Sequence, residues 1–306
     1  MNRKKRTLLF AGSLAGLLAF TACANPSAQN SGEKVPSPDT SDIKVVAELA
    51  ARVPAEIRSR GNISFAATGA NLPIQYVDES GELTGAQVDL IKAIGKVLDI
   101  PVKFDVVTND AFGPGLDSGR YDTLTRGDNA ERQKTMDFID TFMNGFSAVA
   151  HSDFAEDDID YKTKLCGVST AVTKSTFTEN MLTGLSKDCV DRGEPAIQIS
   201  SYVDEAGVML AVQSKQNDVA MIEIVIGLAY VAKNPDTLKM VDRDFGEDVG
   251  GYFSGFAFLK NNVEFRDLMR DALLHLAEVG TYEKIFESYG ISELMLPDFP
   301  VNQVVP

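Results

Sequence analysis

The sequence of 306 residues contains few of the residues on which enzyme active sites most often depend. It has two histidines, His151 and His275, and no Gly-x-Ser-x-Gly, His-Glu-x-x-His or glycine-rich phosphate-binding motif. Histidine is the commonest general acid or base in enzymes. The sequence therefore favours a binding protein over an enzyme.

Cysteine is equally scarce, with Cys23, Cys166 and Cys189 as its only occurrences. Neither histidine lies close in sequence to the later two cysteines, so the ligand spacing of a zinc site is missing. We expect no metal and no cofactor.

The N-terminus combines four basic residues at positions 3–6 with an uncharged run of sixteen residues at 7–22. A bilayer-spanning helix needs about 20 residues, so this run indicates an export signal rather than a transmembrane helix. The small residues Thr21 and Ala22 before Cys23 resemble the lipobox of bacterial lipoproteins, in which the cysteine is lipidated. An ordinary secretory signal followed by an unrelated cysteine is the alternative.

Residues 24–42 are polar and rich in Ser, Pro and Asn, which predicts a flexible tether. We expect a signal peptide over 1–22, a tether over 23–43, and a protein held at the outer face of the cell membrane through Cys23. In that oxidising setting, Cys166 and Cys189 are expected to form a disulfide.

Basic residues are too few for nucleic-acid binding. Removing the four in the signal leaves 25 Lys and Arg against 44 Asp and Glu, a net charge of −19. Without a basic cluster the protein cannot hold a phosphate backbone. The length suffices for one large or two ordinary domains.

Helical and strand patterns alternate along the mature chain. The sequence predicts strands over 62–68, 102–107, 170–173, 196–199, 218–222 and 255–259, and helices over 45–60, 87–98, 178–185, 204–215 and 263–279. A hairpin is expected over 76–85. This alternation indicates an α/β fold with mostly parallel sheets. It does not distinguish two units in series from one lobe interrupted by another.

Seven segments, in order, resemble the bacterial extracellular solute-binding proteins of family 3, the polar amino-acid receptors of ABC importers. They are LPIQYVDESGELTGAQVDLIKAIGKVL (72–98), GLDSGRYDTL (115–124), ERQKTMDFIDTF (131–142), LCGVSTAVTKSTFTENML (165–182), QSKQNDVAMIE (213–223), YFSGFAFLKNN (252–262) and GTYEKIFESYGI (280–291). The resemblance implies a type II periplasmic-binding-protein-like fold, with crossing strands near 145–151 and 245–254. It places lobe 1 at 44–148 plus 254–306 and lobe 2 at 149–253.

The resemblance also places the binding residues. Arg132 matches the family's arginine for the ligand carboxylate, and Glu223 stands where the family has an aspartate for the ammonium. A buried zwitterion needs such partners. A solvated arginine and a structural ion pair are the alternatives for these two residues.

Residues 175–179 resemble a turn whose amides bind the carboxylate, so Thr176 and the amide of Phe177 are candidates, with an ordinary helix N-cap as the alternative. Thr125 and Gly127 approximately occupy two further contact positions of the family. Asn71 and Asn109 stand where an aromatic or large apolar residue is usual, which predicts a more polar cleft.

We therefore expect a monomeric receptor, with no nucleic-acid partner, for a small polar amino acid or a close derivative. It would deliver this ligand to ABC permease subunits. A tethered sensor without a transport role and a dehydratase on the same fold are the alternatives.

Overall fold

The computed structural model describes residues 38–78, 80–161, 163–242, 252–296 and 298–303. The predicted signal peptide, Cys23 and the tether up to residue 37 lie outside these residues, as does most of the second predicted crossing. No helix in the described part of the chain is long and apolar enough to cross a membrane.

The strands of the described residues are numbered in chain order: β1 (Ile63–Ala67), β2 (Ala70–Asn71), β3 (Gln75–Val77), β4 (Leu83–Thr84), β5 (Val102–Val106), β6 (Thr123–Gly127), β7 (Met136–Asn144), β8 (Phe146–His151), β9 (Ser169–Thr173), β10 (Gln198–Tyr202), β11 (Val219–Glu223), β12 (Leu238–Asp242) and β13 (Tyr252–Leu259).

The α-helices are α1 (Ala47–Ala50), α2 (Ala55–Arg60), α3 (Ala86–Val97), α4 (Phe112–Asp117), α5 (Phe177–Asp191), α6 (Glu205–Gln213), α7 (Ile224–Lys233), α8 (Val263–Glu278) and α9 (Thr281–Ser288). Short 3₁₀ helices cover Asn109–Ala111, Arg132–Lys134 and Ser292–Leu294. The predicted helix over 45–60 is divided into α1 and α2, because Pro54 precedes the first residue of α2.

Two five-stranded sheets define two lobes. Lobe 1 is built on the order β5-β1-β6-β13-β7, and lobe 2 on the order β10-β9-β11-β8-β12. A small β2-β3-β4 sheet contains the predicted hairpin. The prediction of mostly parallel sheets is wrong at the crossing strands, because β13 runs antiparallel to β6 and β7, and β8 runs antiparallel to β11 and β12. A strand that returns from the other lobe enters the sheet in the opposite direction.

The first crossing is a single residue, Gly145, between the end of β7 and the start of β8. Its N–H donates to Asn144 Oδ1 (3.0 Å), and its carbonyl accepts from the N–H of Ile224 (2.9 Å). The chain thus passes from the sheet of lobe 1 to the sheet of lobe 2 at residue 145, and it returns between β12 and β13. As domain boundaries, 44–148 plus 254–306 and 149–253 remain a prediction.

The core of lobe 1 lies between its sheet and the helices α3, α8 and α9. Phe65 and Phe256 pack edge to face at 6.1 Å between ring centres, and Phe258 and Phe265 at 5.9 Å. Helix α3 buries Ile91 and Ile94 in this core, as its apolar period predicts.

Lobe 2 has smaller apolar clusters and a disulfide. Cys166 and Cys189 are bonded, with 5.6 Å between their Cα atoms, and this confirms the predicted pairing. The bond joins the segment before β9 to helix α5.

Helix α7 follows β11 of lobe 2 but contacts lobe 1 as well. Its residues Ile224, Val225 and Leu228 belong to the same buried cluster as Phe256 of lobe 1. The two lobes therefore share apolar packing close to the crossings.

Candidate functional site

A cavity of about 1130 Å³ lies between the two lobes. Parallel strands of both sheets direct their carboxyl ends toward it, which is where open α/β sheets form ligand clefts. Seven of the eight predicted binding residues line it: Asn71, Asn109, Thr125, Gly127, Arg132, Thr176 and Glu223. The eighth, Phe177, is the first residue of α5 and follows Thr176 directly.

Arg132 opens a 3₁₀ turn after β6 and is anchored to the loop that precedes it. Its backbone N–H donates to Asn129 Oδ1 (2.9 Å), and its Nη1 donates to the carbonyl of Gly127 (2.6 Å). A Cβ atom on Gly127 would lie 3.3 Å from that Nη1 and 3.1 Å from the ring of Tyr252. A side chain at position 127 would therefore crowd the guanidinium of Arg132, and glycine leaves room for it. No ion pair of Arg132 forms with the residues that the structure describes.

Glu223 ends β11 and is held from the crossing strands. Asn144 Nδ2, at the end of β7, donates to Glu223 Oε2 (3.1 Å) and to the hydroxyl of Tyr252 (2.9 Å), at the start of β13. Burial raises the pKa of Glu223, and the side chains of Asn144 and Tyr252 oppose that rise by hydrogen bonding. Neutral hydrogen-bond donors therefore hold this carboxyl in place, and it forms no ion pair with the described residues.

Thr176 is the N-cap of α5. Its Oγ1 accepts from the N–H of Glu179 (3.2 Å) and donates to the carbonyl of Thr173 (2.7 Å). The alternative of an ordinary cap is thus realised, and the first amides of the helix still face its N-terminus. The preceding Ser175 has φ +61°, a left-handed conformation that glycine adopts more readily than other residues.

Lobe 1 also contributes neutral polar side chains to the cleft. Asn71 ends β2, Asn109 opens the 3₁₀ turn before α4, and Thr125 lies in β6. Thr125 Oγ1 is buried and has no hydrogen-bond partner among the described residues. Polar side chains at these positions agree with the prediction of a polar cleft.

Several residues that line the cavity were missed in the sequence. The charged and aromatic ones are Arg126, Asp128, Phe146, Asp204, Glu205, Tyr230 and Tyr252. Arg126 and Asp128 lie between the segments 115–124 and 131–142 that carry the resemblance, so no motif marked them. Tyr252 begins a segment that carries the family resemblance, and a signal for it was therefore present. Neither histidine lines the cavity among the described residues.

Comparison with known proteins agrees with this architecture. The sequence profile of the bacterial extracellular solute-binding proteins, family 3, matches residues 63–292. The arginine-binding protein ArgT of Corynebacterium glutamicum is 27% identical over 269 residues, covering 84% of this chain and 84% of that protein. The probable histidine-binding protein of Neisseria gonorrhoeae is 26% identical over 286 residues, covering 92% of this chain and 96% of that protein.

Among solved structures, an ancestral cationic amino acid solute-binding protein superposes with a TM-score of 0.67 at 25% identity, covering 77% of this chain and 98% of that one. A second crystal structure of that ancestral protein, described as a precursor of cyclohexadienyl dehydratase, gives a TM-score of 0.57 at 26% identity, covering 77% and 98%. The fold is therefore the type II periplasmic-binding-protein fold.

Proposed function

Because the chain belongs to the bacterial extracellular solute-binding proteins of family 3, we propose that it is an extracytoplasmic receptor that closes on a small polar amino acid and delivers it to an ABC importer. The observation that carries this proposal is the presence of Arg132 from lobe 1 and Glu223 from lobe 2 on one cavity.

An amino acid that leaves water for a closed cleft needs a partner for each of its charges. The guanidinium of Arg132 offers two parallel N–H donors to the α-carboxylate, and the first amides of α5 add backbone donors. Glu223 accepts from the α-ammonium. Since these groups belong to different lobes, ligand binding stabilises the closed arrangement relative to the open one.

The polarity of the ligand follows from the neutral side chains. Asn71 and Asn109 line the cavity where apolar side chains would favour leucine or phenylalanine. The relatives named for arginine and histidine support a polar ligand class.

Membrane attachment is part of the proposal. Cys23 lies outside the described residues. The proposal that it is lipidated is supported by the basic N-terminus, the uncharged run of sixteen residues and the small residues before the cysteine. Cell fractionation is expected to place the wild-type protein in the membrane fraction and the Cys23→Ala variant outside it. Equal distributions of the two proteins would contradict the anchor.

An enzyme on this fold is the second candidate, since one neighbour is described as a precursor of a dehydratase. The receptor reading is favoured because neither histidine lines the described cavity. A sensor without transport would share the binding site and differ only downstream. We further propose that the protein is a monomer and needs no cofactor.

The proposal is tested by thermal unfolding of the mature protein in the presence of each of the common amino acids, followed by calorimetry. A specific ligand raises the melting temperature by mass action. The expected result is stabilisation by one or a few polar amino acids. Tightest binding of leucine or phenylalanine, or no binding at all, would contradict it. Turnover of a prephenate-like acid would favour the dehydratase, and loss of amino-acid uptake on gene deletion would favour transport over sensing.

A further inference from the structure

Arg126 is a second guanidinium on the cavity, and its side chain has no hydrogen-bond or ion-pair partner among the described residues. It lies in β6 and lines the cavity. Its Cζ is 5.9 Å from the centre of the Phe112 ring. Within the described residues it makes no hydrogen bond and no ion pair. Burial lowers the pKa of Arg126, although an arginine stays charged at neutral pH.

Arg126 also acts on Arg132. Burial lowers the pKa of Arg132, and the positive charge of Arg126 lowers it further. The one acid from lobe 1 among the described residues that line the cavity is Asp128, and Gln133 Nε2 already donates to both of its oxygens (2.9 and 2.8 Å). Asp128 therefore offsets part of the charge of Arg132, and its charge raises the pKa of that guanidinium. One carboxylate does not offset two guanidinium charges, so an anionic ligand group would compensate the second.

The uncharged neighbours of Arg126 have unused hydrogen-bonding capacity. Thr125 is 5% exposed, and its Oγ1 has no partner among the described residues. Gln75, which is 4% exposed and also lines the cavity, has an Oε1 without a partner in the same part of the structure. The Thr125 hydroxyl can donate to an anionic oxygen, whereas an amide oxygen such as Gln75 Oε1 can only accept.

We propose that Arg126 is a specificity-determining residue that binds a second anionic group of the ligand, so that the preferred ligand is an amino acid with an acidic side chain. This inference rests on the proposed function, in which Arg132 binds the α-carboxylate and Glu223 the ammonium. Arg126 then binds the side-chain acid group, a carboxylate or a phosphonate, with the Thr125 hydroxyl as a further donor. A guanidinium matches either group with two parallel hydrogen bonds.

The competing explanation is that Arg126 packs on Phe112 and has no role in binding. Arg120 provides a matched control for this explanation. Its Cζ lies 5.2 Å from the Tyr121 ring centre, it belongs to the same lobe, and it does not line the cavity. A purely structural arginine at position 126 would behave like Arg120.

The test is isothermal titration of the full mature protein with L-glutamate, L-aspartate, their amides L-glutamine and L-asparagine, a phosphono analogue of glutamate, and L-arginine. Wild type is expected to bind one acid at least about tenfold more tightly than its amide, the scale of one charged hydrogen bond. Arg126→Gln is expected to remove most of that preference. Arg126→Lys is expected to keep part of the preference, and Arg120→Gln all of it.

The outcomes separate this inference from the proposed function. Tighter binding of an amide or of L-arginine by wild type, or an acid preference that survives in Arg126→Gln, overturns the role of Arg126 and leaves the receptor intact. Failure to bind any amino acid overturns both. The melting temperatures of the ligand-free variants show whether each is folded, and the ratio of acid to amide affinity is independent of the fraction of active protein.

Discussion

The two walls of the cleft carry opposite charge. Lobe 1 contributes Arg126 and Arg132, with Asp128 as its acid, whereas lobe 2 contributes Asp204, Glu205 and Glu223 and no Lys, Arg or His among the described lining residues. In a chain of net charge −15, two cations on one wall are a local exception. Under the proposed function, this difference predicts that the ligand lies with its anionic groups toward lobe 1 and its ammonium toward lobe 2.

The lobes also differ in how they are stabilised. Lobe 1 packs phenylalanines between its sheet and the helices α3, α8 and α9, and Cys166–Cys189 links two segments of lobe 2. The wall that supplies the cations thus rests on the larger apolar core.

The largest effect is expected at Asp140, a fully buried residue of β7. Burial, with a smaller contribution from Asp128, raises the pKa of Asp140 to about 8, so lobe 1 keeps this acid neutral. Between the unfolded pKa near 3.8 and the folded pKa, the folded state binds one proton more than the unfolded state. The free energy of unfolding therefore falls as pH rises through this window, by about 1.4 kcal/mol per pH unit from this group.

Asp140→Asn should remove that slope and be the more stable protein, with a gain that grows from pH 5 to pH 8. Denaturant unfolding at each pH measures it. Asp105→Asn, in the partly exposed strand β5, is the control variant with which the growth of the gain is compared. A constant difference between Asp140→Asn and wild type would show that Asp140 is ionised throughout.

The second effect concerns lobe 2. Replacing Cys166 and Cys189 together by alanine should lower the free energy of unfolding by about 3 kcal/mol, because a loop closed over a separation of 23 residues is released in the unfolded state. Denaturant unfolding measures this loss, and reduction of the wild type should reproduce it. If the double variant is as stable as the oxidised wild type, lobe 2 does not depend on the disulfide.

The third effect tests the two walls directly. Arg132→Ala and Glu223→Gln should each weaken ligand binding by about 2–3 kcal/mol, roughly 30- to 150-fold, since each removes one charged partner of the zwitterion. Calorimetry measures the loss. Arg120→Ala and Glu194→Gln, outside the cavity on lobes 1 and 2, are the matched controls. Wild-type affinity in either cleft variant would place the site elsewhere.

Much of the fold was predictable because its signals are local. Helix α3 (Ala86–Val97) lies within one residue of the predicted 87–98, since its apolar residues recur at helical spacing. Helix α7 was not predicted, because the apolar run from Val219 onward continues from strand into helix without a change in composition. The antiparallel direction of β13 depends on pairing with residues more than a hundred positions away, which no local pattern reports.

The location of Arg132 and Thr176 on the cavity could be predicted because each lies in a motif of adjacent residues, whereas their role in binding stays a prediction. Arg126 is a lone charge in a strand, which composition cannot distinguish from a solvated arginine. The contact of Asn144 with Tyr252 and Glu223 requires the register of β7 against β13, in which Tyr252 is opposite Asn144. Such a cluster exists only once the strands are paired.

The smallest effect is expected at Tyr252, where the two walls meet. Its hydroxyl accepts from Asn144, and its hydrogen bond to Glu223 lowers the pKa of that acid against the effect of burial. Tyr252→Phe should therefore raise the pKa of Glu223 further. Because the ligand ammonium needs ionised Glu223, affinity should fall by about 1 kcal/mol, roughly fivefold, near neutral pH.

The pH dependence separates this effect from a simple loss of contact. Affinity should decline as pH falls in both proteins, and the decline should begin at a higher pH in Tyr252→Phe, as calorimetry between pH 5 and pH 9 can show. Tyr202→Phe is the control, since it removes a hydroxyl bonded to Asn217 outside the cavity. A loss of affinity that is equal at every pH would mean that Tyr252 contacts the ligand itself. The pKa of Glu223 would then not depend on the hydroxyl of Tyr252.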